Sequence, residues 1–170
     1  RAKAIGCDMR KGQPTPGNIA GGLSSIEEKS LGAIMKSGSR PIQGVLEYPA
    51  IITNQKGLWI KDSPGREIEI LTGMAVAGAQ CMTFSTGRGA PQGFPTMPVI
   101  KICGNPNTYE RMQHDMDINA GRIIQGTASI EQVGEEILDM LTLVLSGAVT
   151  KGEAIHYTKS MDIYTLGPVI

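Results

Sequence analysis

The stretch CMTFSTGRGAPQGFPTMPVIKIC, residues 81–103, decides the fold. It begins with an apolar run at residues 81–85 and ends with a second apolar run at residues 99–103. The first run reads as continuously apolar rather than alternating, which is typical of a strand that is covered on both faces. We therefore predict two strands of a mainly parallel sheet, joined by a loop rich in glycine and proline over residues 86–98.

Strands and helices alternate on both sides of this stretch. Further strands are predicted at residues 42–47, 58–61 and 116–118, with a weaker pattern at 161–166. Helices are predicted at residues 25–37, 64–78, 107–114 and 129–146, and the end of another at 1–6. The second of these is expected to begin with Ser63 as N-cap and Pro64 in the first position. The alternation predicts an α/β fold with a Rossmann-like, mainly parallel sheet flanked by helices.

The clearest helix pattern covers residues 129–146. Ser129 and Gln132 have the spacing of a capping box, and Gly147 follows the last turn. Four apolar residues recur at helical spacing, namely Val133, Ile137, Leu141 and Val144. We predict that this face of the helix is buried against the sheet.

Length and charge exclude several classes of function. The chain has 170 residues, which predicts a single domain over residues 1–170, and its formal net charge is zero. A neutral chain is a poor candidate for binding nucleic acid or an acidic membrane through bulk electrostatics. No apolar run approaches the roughly 20 residues of a membrane helix, and the first residues have no signal-peptide pattern. Three scattered cysteines give neither a zinc motif nor a disulfide framework, so we expect a cytoplasmic protein. From its charge and hydropathy we expect neither nucleic-acid nor membrane partners.

Polar residues follow the predicted strands, where ligands bind in open parallel sheets. The sharpest group is the run TGRG at residues 86–89, in which two glycines expose backbone N–H groups and Arg88 offers a planar fork for a carboxylate or phosphate. The prolines that follow, at positions 91, 95 and 98, are incompatible with a dinucleotide-binding fingerprint. We predict an anion site; the alternative is an irregular turn with a solvated arginine.

Two other positions carry open alternatives. Lys101 lies in an apolar strand, so its ammonium must reach solvent or a partner. It is a candidate base or substrate clamp, or it simply marks the face or edge of the sheet. Glu27 and Glu28 point about 100° apart on their helix. At most one of them is a candidate metal ligand, and their place at a helix start favours interaction with the helix dipole.

Six segments in one order go beyond a generic α/β pattern. They are GNIAGGL (17–23), IEEKSLG (26–32), GVLEY (44–48), FSTGRGAP (84–91), PVIK (98–101) and MDINAG (116–121). Together they resemble the C-terminal part of the altronate/galactarate dehydratase family, which includes the large subunit of sulfolactate sulfo-lyase. The resemblance runs from about residue 6 to the C-terminus.

The resemblance implies a lyase that removes water, or sulfite, from a small hydroxy acid. It implies that this chain is the C-terminal portion of the catalytic region of a longer dehydratase. The expected partner of the chain is an N-terminal domain or a small subunit. The isolated fragment is expected to be inactive, and association of identical copies is a further expectation. The alternatives are a sulfolactate sulfo-lyase large subunit and a non-catalytic domain that binds an anion or serves assembly.

The resemblance also implies a set of site residues. Lys29 and Lys101 are the candidate catalytic residues. The candidate substrate-binding residues are Asn18, Thr86, Gly87, Arg88, Gly89 and Asn119. Glu28 and Asp117 are the candidate metal ligands, for iron(II) first and manganese(II) second. The stretch at residues 62–66 departs from the altronate branch, whereas residues 117–121 are more similar to galactarate dehydratase.

Overall fold

The computed structural model describes residues 4, 6, 14–20, 23–48, 50–51 and 56–164. Its helices and parallel strands confirm the predicted α/β fold. The chain divides into two compact units, one formed by Arg1–Gly44 with Gly57–Trp59 and the other by Val45–Lys56 with Ile60–Ile170. The single domain expected over residues 1–170 stays a prediction.

The first unit contains two helices, α1 (Pro16–Ala20) and α2 (Ile26–Met35). Ser25 caps α2, because its hydroxyl accepts a hydrogen bond from the backbone N–H of Glu28 at 3.2 Å. The Glu28 carboxylate reaches back one residue further and accepts from the backbone N–H of Ser24 at 2.8 Å. The acidic start predicted for this helix is therefore used for capping.

Two short strands, β1 (Ile42–Leu46) and β2 (Leu58–Lys61), pair as a two-stranded sheet. A three-stranded sheet is formed by β3 (Met82–Thr86), β4 (Val99–Cys103) and β5 (Ile118–Asn119), in the order β3-β4-β5. Both of its pairings are parallel, and Phe84 of β3 lies opposite Lys101 of β4. The parallel arrangement predicted from residues 81–103 is confirmed.

The helices that accompany the three-stranded sheet are α3 (Glu67–Val76), α4 (Pro106–Arg111), α5 (Gly121–Ile124), α6 (Ile130–Leu145) and α7 (Lys151–Ala154). Consecutive residues of β4 contribute to two separate core clusters. Val99 belongs to a buried cluster with Leu71, Phe94 and Met97. Ile100 belongs to a second buried cluster with Ile118, Val133 and Val144. The central strand thus contributes to the core on both faces of the sheet.

The predicted inner face of α6 is borne out. Val133 and Val144 are buried, and Ile137 and Leu141 are half-buried against the same cluster. The helix begins with the expected capping box, in which Ser129 and Gln132 bond each other's backbone N–H groups. Sequence periodicity and capping therefore located this helix and its buried face.

The prediction that the strand at residues 81–85 is covered on both faces is wrong. Thr83 and Ser85 are exposed, whereas Met82 and Phe84 are half-buried, so β3 is covered on one face. Because successive side chains of a strand point to opposite faces, these two alternate polar residues lie on the same, uncovered face. The strand that is buried at four of its five positions is β4.

Two other predictions need correction. Helix α3 begins at Glu67 rather than Pro64, and its N-cap, Arg66, makes no side-chain capping hydrogen bond. Gly65 follows Pro64, and the entropy that glycine loses in a helix disfavours an earlier start. Residues 161–164 form no strand. The remainder of that predicted strand and most of the predicted helix end at residues 1–6 lie outside the described residues.

Candidate functional site

The loops that leave the three-stranded sheet are joined at its carboxyl edge. The backbone N–H of Gly104 donates to the carbonyl of Thr86 at 2.9 Å, which ties the loop after β4 to the end of β3. The Thr108 hydroxyl donates to the carbonyl of Gly87 at 3.0 Å and so fixes the TGRG turn on the start of α4. The TGRG turn and the loop after β4, which are separated in sequence, are therefore in direct contact.

The loop after β5 joins the same edge. The backbone N–H of Ala120 donates to the carbonyl of Cys103 at 2.8 Å, and the Asn119 side chain accepts from the N–H of Gly121 at 3.0 Å. A Cβ atom on Gly121 would lie 2.5 Å from the backbone nitrogen of Pro106. Because that neighbour is backbone and cannot rotate away, only glycine fits at position 121.

The TGRG turn holds Arg88 at its tip. The Thr86 hydroxyl accepts a hydrogen bond from the N–H of Gly89 at 3.1 Å, which closes the turn. Gly89 has a φ of +87° and faces the Met112 side chain, so the turn requires glycine there. Arg88 is exposed, and within the described part of the chain its guanidinium has no ion-pair partner. Its fork is thus available to an anion at the carboxyl edge.

Lys101 is fully buried, with a relative exposure of 0%. Its Nζ is bonded to Oε1 of Glu67 in the first turn of α3 and lies 4.3 Å from the centre of the Phe84 ring. Burial lowers the pKa of Lys101, and the hydrogen bond and charge of Glu67 act in the opposite direction. Of the alternatives raised by the sequence, the structure shows a buried lysine that is paired with the half-buried carboxylate of Glu67.

Glu67 is the residue that the sequence reasoning missed. The signal that could have identified it was Lys101 itself, because a buried ammonium requires a carboxylate or other polar partner. Glu67 opens the helix immediately before β3, and β3 neighbours the strand that carries Lys101. The predicted start of α3, at Pro64, was about one turn too early, so Glu67 was not recognised as the first residue of the helix.

The Asp117 carboxylate bonds two backbone groups. Oδ2 accepts from the N–H of Lys101 at 2.7 Å, and Oδ1 accepts from the N–H of Lys151 at 2.9 Å. Both oxygens of this candidate metal ligand therefore already serve hydrogen bonds within the fold.

Three predicted site residues belong to the first compact unit. The Lys29 ammonium donates to the side-chain oxygen of Asn18 at 3.1 Å, so these two candidates are in contact. Glu28 turns instead to Ser24, whose hydroxyl and backbone N–H lower the pKa of that carboxyl. The candidates Thr86, Gly87, Arg88, Gly89, Lys101, Asp117 and Asn119 belong to the other unit.

The described residues do not assemble a metal site. Among them, no three His, Cys, Asp or Glu side chains are grouped so that they could hold one ion. Glu28 and Asp117 have carboxylates committed to local hydrogen bonds. These two residues alone do not fit a metal centre, and the metal expectation stays a prediction.

A groove of about 290 Å³ is formed by residues of α5, of α6 and of the segment between them. Arg122, which directly follows Gly121, bonds the Glu136 carboxylate there and donates from Nε to the carbonyl of Asn119 at 3.1 Å. The groove is lined by Arg122, Thr127, Ala128, Gln132, Glu135, Glu136 and Asp139. It contains none of the predicted site residues, although Arg122 connects it to the loop after β5.

Comparison with known proteins decides the family. The model of the family described as D-galactarate/Altronate dehydratase, C-terminal, matches residues 1–169. The chain belongs to this family. It is 38% identical over 151 residues to (2R)-sulfolactate sulfo-lyase subunit beta of Chromohalobacter salexigens, and 36% identical over 154 residues to altronate dehydratase of Bacillus subtilis. Galactarate dehydratase (L-threo-forming) of Escherichia coli is 38% identical over 143 residues.

These alignments cover most of this chain but a minor part of each relative. They take in 88%, 91% and 84% of this chain, and 39%, 30% and 27% of the respective relatives. The chain thus spans well under half the length of the curated proteins that it matches. Across the described residues, no helix combines the length and the apolar character that crossing a membrane requires.

Proposed function

We propose that this chain is the C-terminal part of the catalytic region of a hydro-lyase that removes water from a sugar acid of the altronate or galactarate type. The observation that carries the proposal is the family match over residues 1–169, in a chain similar to two sugar-acid dehydratases. The joined loops at the carboxyl edge of the sheet support it, because that edge is where open parallel sheets bind ligands.

Elimination from a hydroxy acid sets three chemical tasks. The substrate's carboxylate must be held, the weakly acidic proton beside it must be removed, and the hydroxyl must leave. Arg88 suits the first task, since a guanidinium can donate two parallel hydrogen bonds to one carboxylate. The exposed TGRG turn places that fork at the carboxyl edge without a competing partner among the described residues.

We further propose a divalent metal, iron(II) before manganese(II), as the cofactor of the intact enzyme. Such an ion would act as a Lewis acid on the substrate's oxygens. Because the described residues hold no complete ligand set, the ligands of the metal would have to come in part from elsewhere in the protein. A further domain or subunit is the natural source, and one relative is itself named as a subunit.

The second candidate is a sulfolactate sulfo-lyase large subunit. The chain is as similar to the sulfo-lyase subunit as to galactarate dehydratase, with 38% identity in each case. A carboxylate and a sulfonate are both anions that Arg88 could bind. Overall identity therefore does not separate loss of water from loss of sulfite.

A substrate screen on the intact protein tests the proposal. The complete gene product and its small subunit or N-terminal domain are loaded anaerobically with iron(II) or manganese(II) and given altronate, galactarate and sulfolactate. Formation of a 2-keto-3-deoxy acid from a sugar acid is the expected result. Release of sulfite from sulfolactate alone would favour the second candidate. Absence of any turnover with either metal would contradict both and favour a non-catalytic binding or assembly domain.

A further inference from the structure

The pair formed by Lys101 and Glu67 is asymmetric in its exposure. The Lys101 side chain is 0% exposed, whereas that of Glu67 is 23% exposed. The ammonium is enclosed by the Phe84 ring and the carboxylate, so a small molecule approaching from solvent meets Glu67 before it meets Lys101. Of the two charged groups, the carboxylate is the one that can contact a substrate without rearrangement of the fold.

Glu67 also has one carboxylate oxygen that can still accept a hydrogen bond. Its Oε1 is bonded to Lys101, and Oε2 makes no hydrogen bond within the described part of the chain. The carboxylate is fixed from behind by a buried cation, and Lys101 lies two residues before the carboxyl end of β4. Such an arrangement presents one oxygen with a defined position on the substrate-binding side of a parallel sheet.

We propose that Glu67 is the proton-accepting carboxylate of the elimination and that Lys101 is its positioning residue. This assignment rests on the proposed function. It reverses the simpler expectation in which Lys101 itself is the base, because a base must come within hydrogen-bond reach of the proton that it removes.

The step balances without a further reactant. Glu67 takes the proton from the carbon beside the substrate's carboxylate, and the C–H electron pair becomes the new C=C bond. The C–O bond on the adjacent carbon breaks, and hydroxide leaves with the electron pair of that C–O bond. Hydroxide takes a proton from solvent and Glu67 returns one to solvent, so one water is lost and the carboxylate is regenerated.

The test uses the intact enzyme on whichever acid the wild type turns over. Glu67→Gln keeps the size of the side chain and removes its basicity. We expect kcat to fall by about 100-fold or more, the magnitude typical of lost general-base catalysis, with KM changed far less. Lys101→Met should lower kcat less, by about 10-fold, because it removes only the group that orients the base. In the Lys101→Met background, Glu67→Gln should cost less than it does alone, since the two residues act as a unit.

Glu69→Gln is the matched control. Glu69 lies in the same first turn of α3 and pairs with Arg66 at 3.3 Å instead of with Lys101. We expect its kcat to stay within about two-fold of the wild type, as for residues outside the reacting unit. If Glu67→Gln does not fold, Glu67→Asp keeps the charge but withdraws the carboxylate by one methylene, and should lower kcat at a nearly unchanged melting temperature.

The outcomes separate this role from the proposed function. An active wild type whose Glu67→Gln or Glu67→Asp variant keeps full kcat overturns the role of Glu67 alone. A Lys101→Met variant that loses far more kcat than Glu67→Gln also overturns it, in favour of direct action by Lys101. A wild type that is inactive on every acid contradicts the proposed function itself and this role with it.

Discussion

The Asp117 carboxylate accepts a hydrogen bond from the backbone N–H of Lys101 at 2.7 Å, and with its other oxygen it binds the backbone N–H of Lys151. One side chain thus ties the central strand β4 to the first turn of α7. Lys151 strengthens the same junction, because its ammonium donates to the carbonyl of Met116 at 2.6 Å. The geometry gives Asp117 a structural role in addition to the metal-binding role that the resemblance implies.

Asp117→Asn should therefore destabilise the fold. The amide keeps one acceptor and turns a donor toward the second N–H, so one charge-assisted hydrogen bond is lost at a cost of about 1.5–3 kcal/mol. Urea unfolding of the intact protein measures this. Asp115→Asn, two residues earlier, is the control, because Asp115 is bonded to its neighbours through its backbone N–H, which donates to the carbonyl of Met112 at 2.9 Å. Unchanged stability together with lost metal content would contradict the structural role and favour the ligand role.

Among the glycines that the structure describes, Gly121 makes the closest approach to another backbone atom. Gly121→Ala would place a Cβ atom 2.5 Å from the Pro106 nitrogen and push apart the loops after β4 and β5. We expect a lower melting temperature and reduced turnover. Gly134→Ala is the opposite case, since Gly134 lies in the second turn of α6 and a Cβ atom there meets open space. It should stabilise the protein by about 0.5–1 kcal/mol through helix propensity. Equal effects of the two changes would refute the close approach.

The half-buried face of α6 gives a graded stability prediction. Leu141 packs on the cluster of Ile100, Ile118, Val133 and Val144, so Leu141→Ala should cost about 2 kcal/mol, the low end for leucine truncation. Leu138 lies on the same helix but is 62% exposed. Leu138→Ala should change the free energy of unfolding by no more than about 0.5 kcal/mol. If both variants matched the wild type, the assignment of the buried face would be incorrect.

Metal removal tests the cofactor proposal. Incubation of the intact enzyme with a chelator should abolish turnover, and addition of iron(II) should restore it, with manganese(II) as the second choice. Removal of the metal should change the local stability around Asp117 and Lys101 little, because the hydrogen bond between these residues needs no ion. Full turnover after complete removal of metal, verified by elemental analysis, would rule the cofactor out.

Local sequence signals were sufficient for much of the fold. The capping box at Ser129 and the period of the apolar residues located α6, and the apolar run at residues 99–103 located β4 with its bounds. The error at β3 came from reading a mixed run as apolar, although Thr83 and Ser85 already alternated with apolar neighbours. The start of α3 was missed because Pro64 gave a strong local signal that Gly65 opposed.

From the sequence, only the candidate site residues that lie at the ends of strands could be placed correctly. Placing Thr86, Gly87 and Asn119 at one edge follows from a parallel sheet, and the structure brings their loops together. The partner of Lys101 could not be read from spacing, because Glu67 is 34 residues away and meets it only through packing of α3 on the sheet. Hydrogen bonds such as those of Asp117 are likewise long-range contacts that no local pattern encodes.

The central prediction is that Arg88, at the carboxyl edge of the sheet, binds the acidic group of the substrate. Its turn is closed by Thr86 and fixed on α4 by Thr108, so the backbone on either side is held. A lysine keeps the charge at this position but cannot reproduce two parallel hydrogen bonds to one carboxylate. Arg88→Lys therefore isolates the geometry of binding from the charge.

The most direct measurement is kcat/KM of the intact enzyme for Arg88→Lys, on the acid that the wild type turns over. We predict a fall of at least about 10-fold with an unchanged melting temperature, since one charged hydrogen bond contributes roughly 1.5–3 kcal/mol. Arg111→Lys, at an exposed arginine of α4, should leave kcat/KM unchanged. A value for Arg88→Lys equal to the wild type would contradict the account and remove Arg88 from the site.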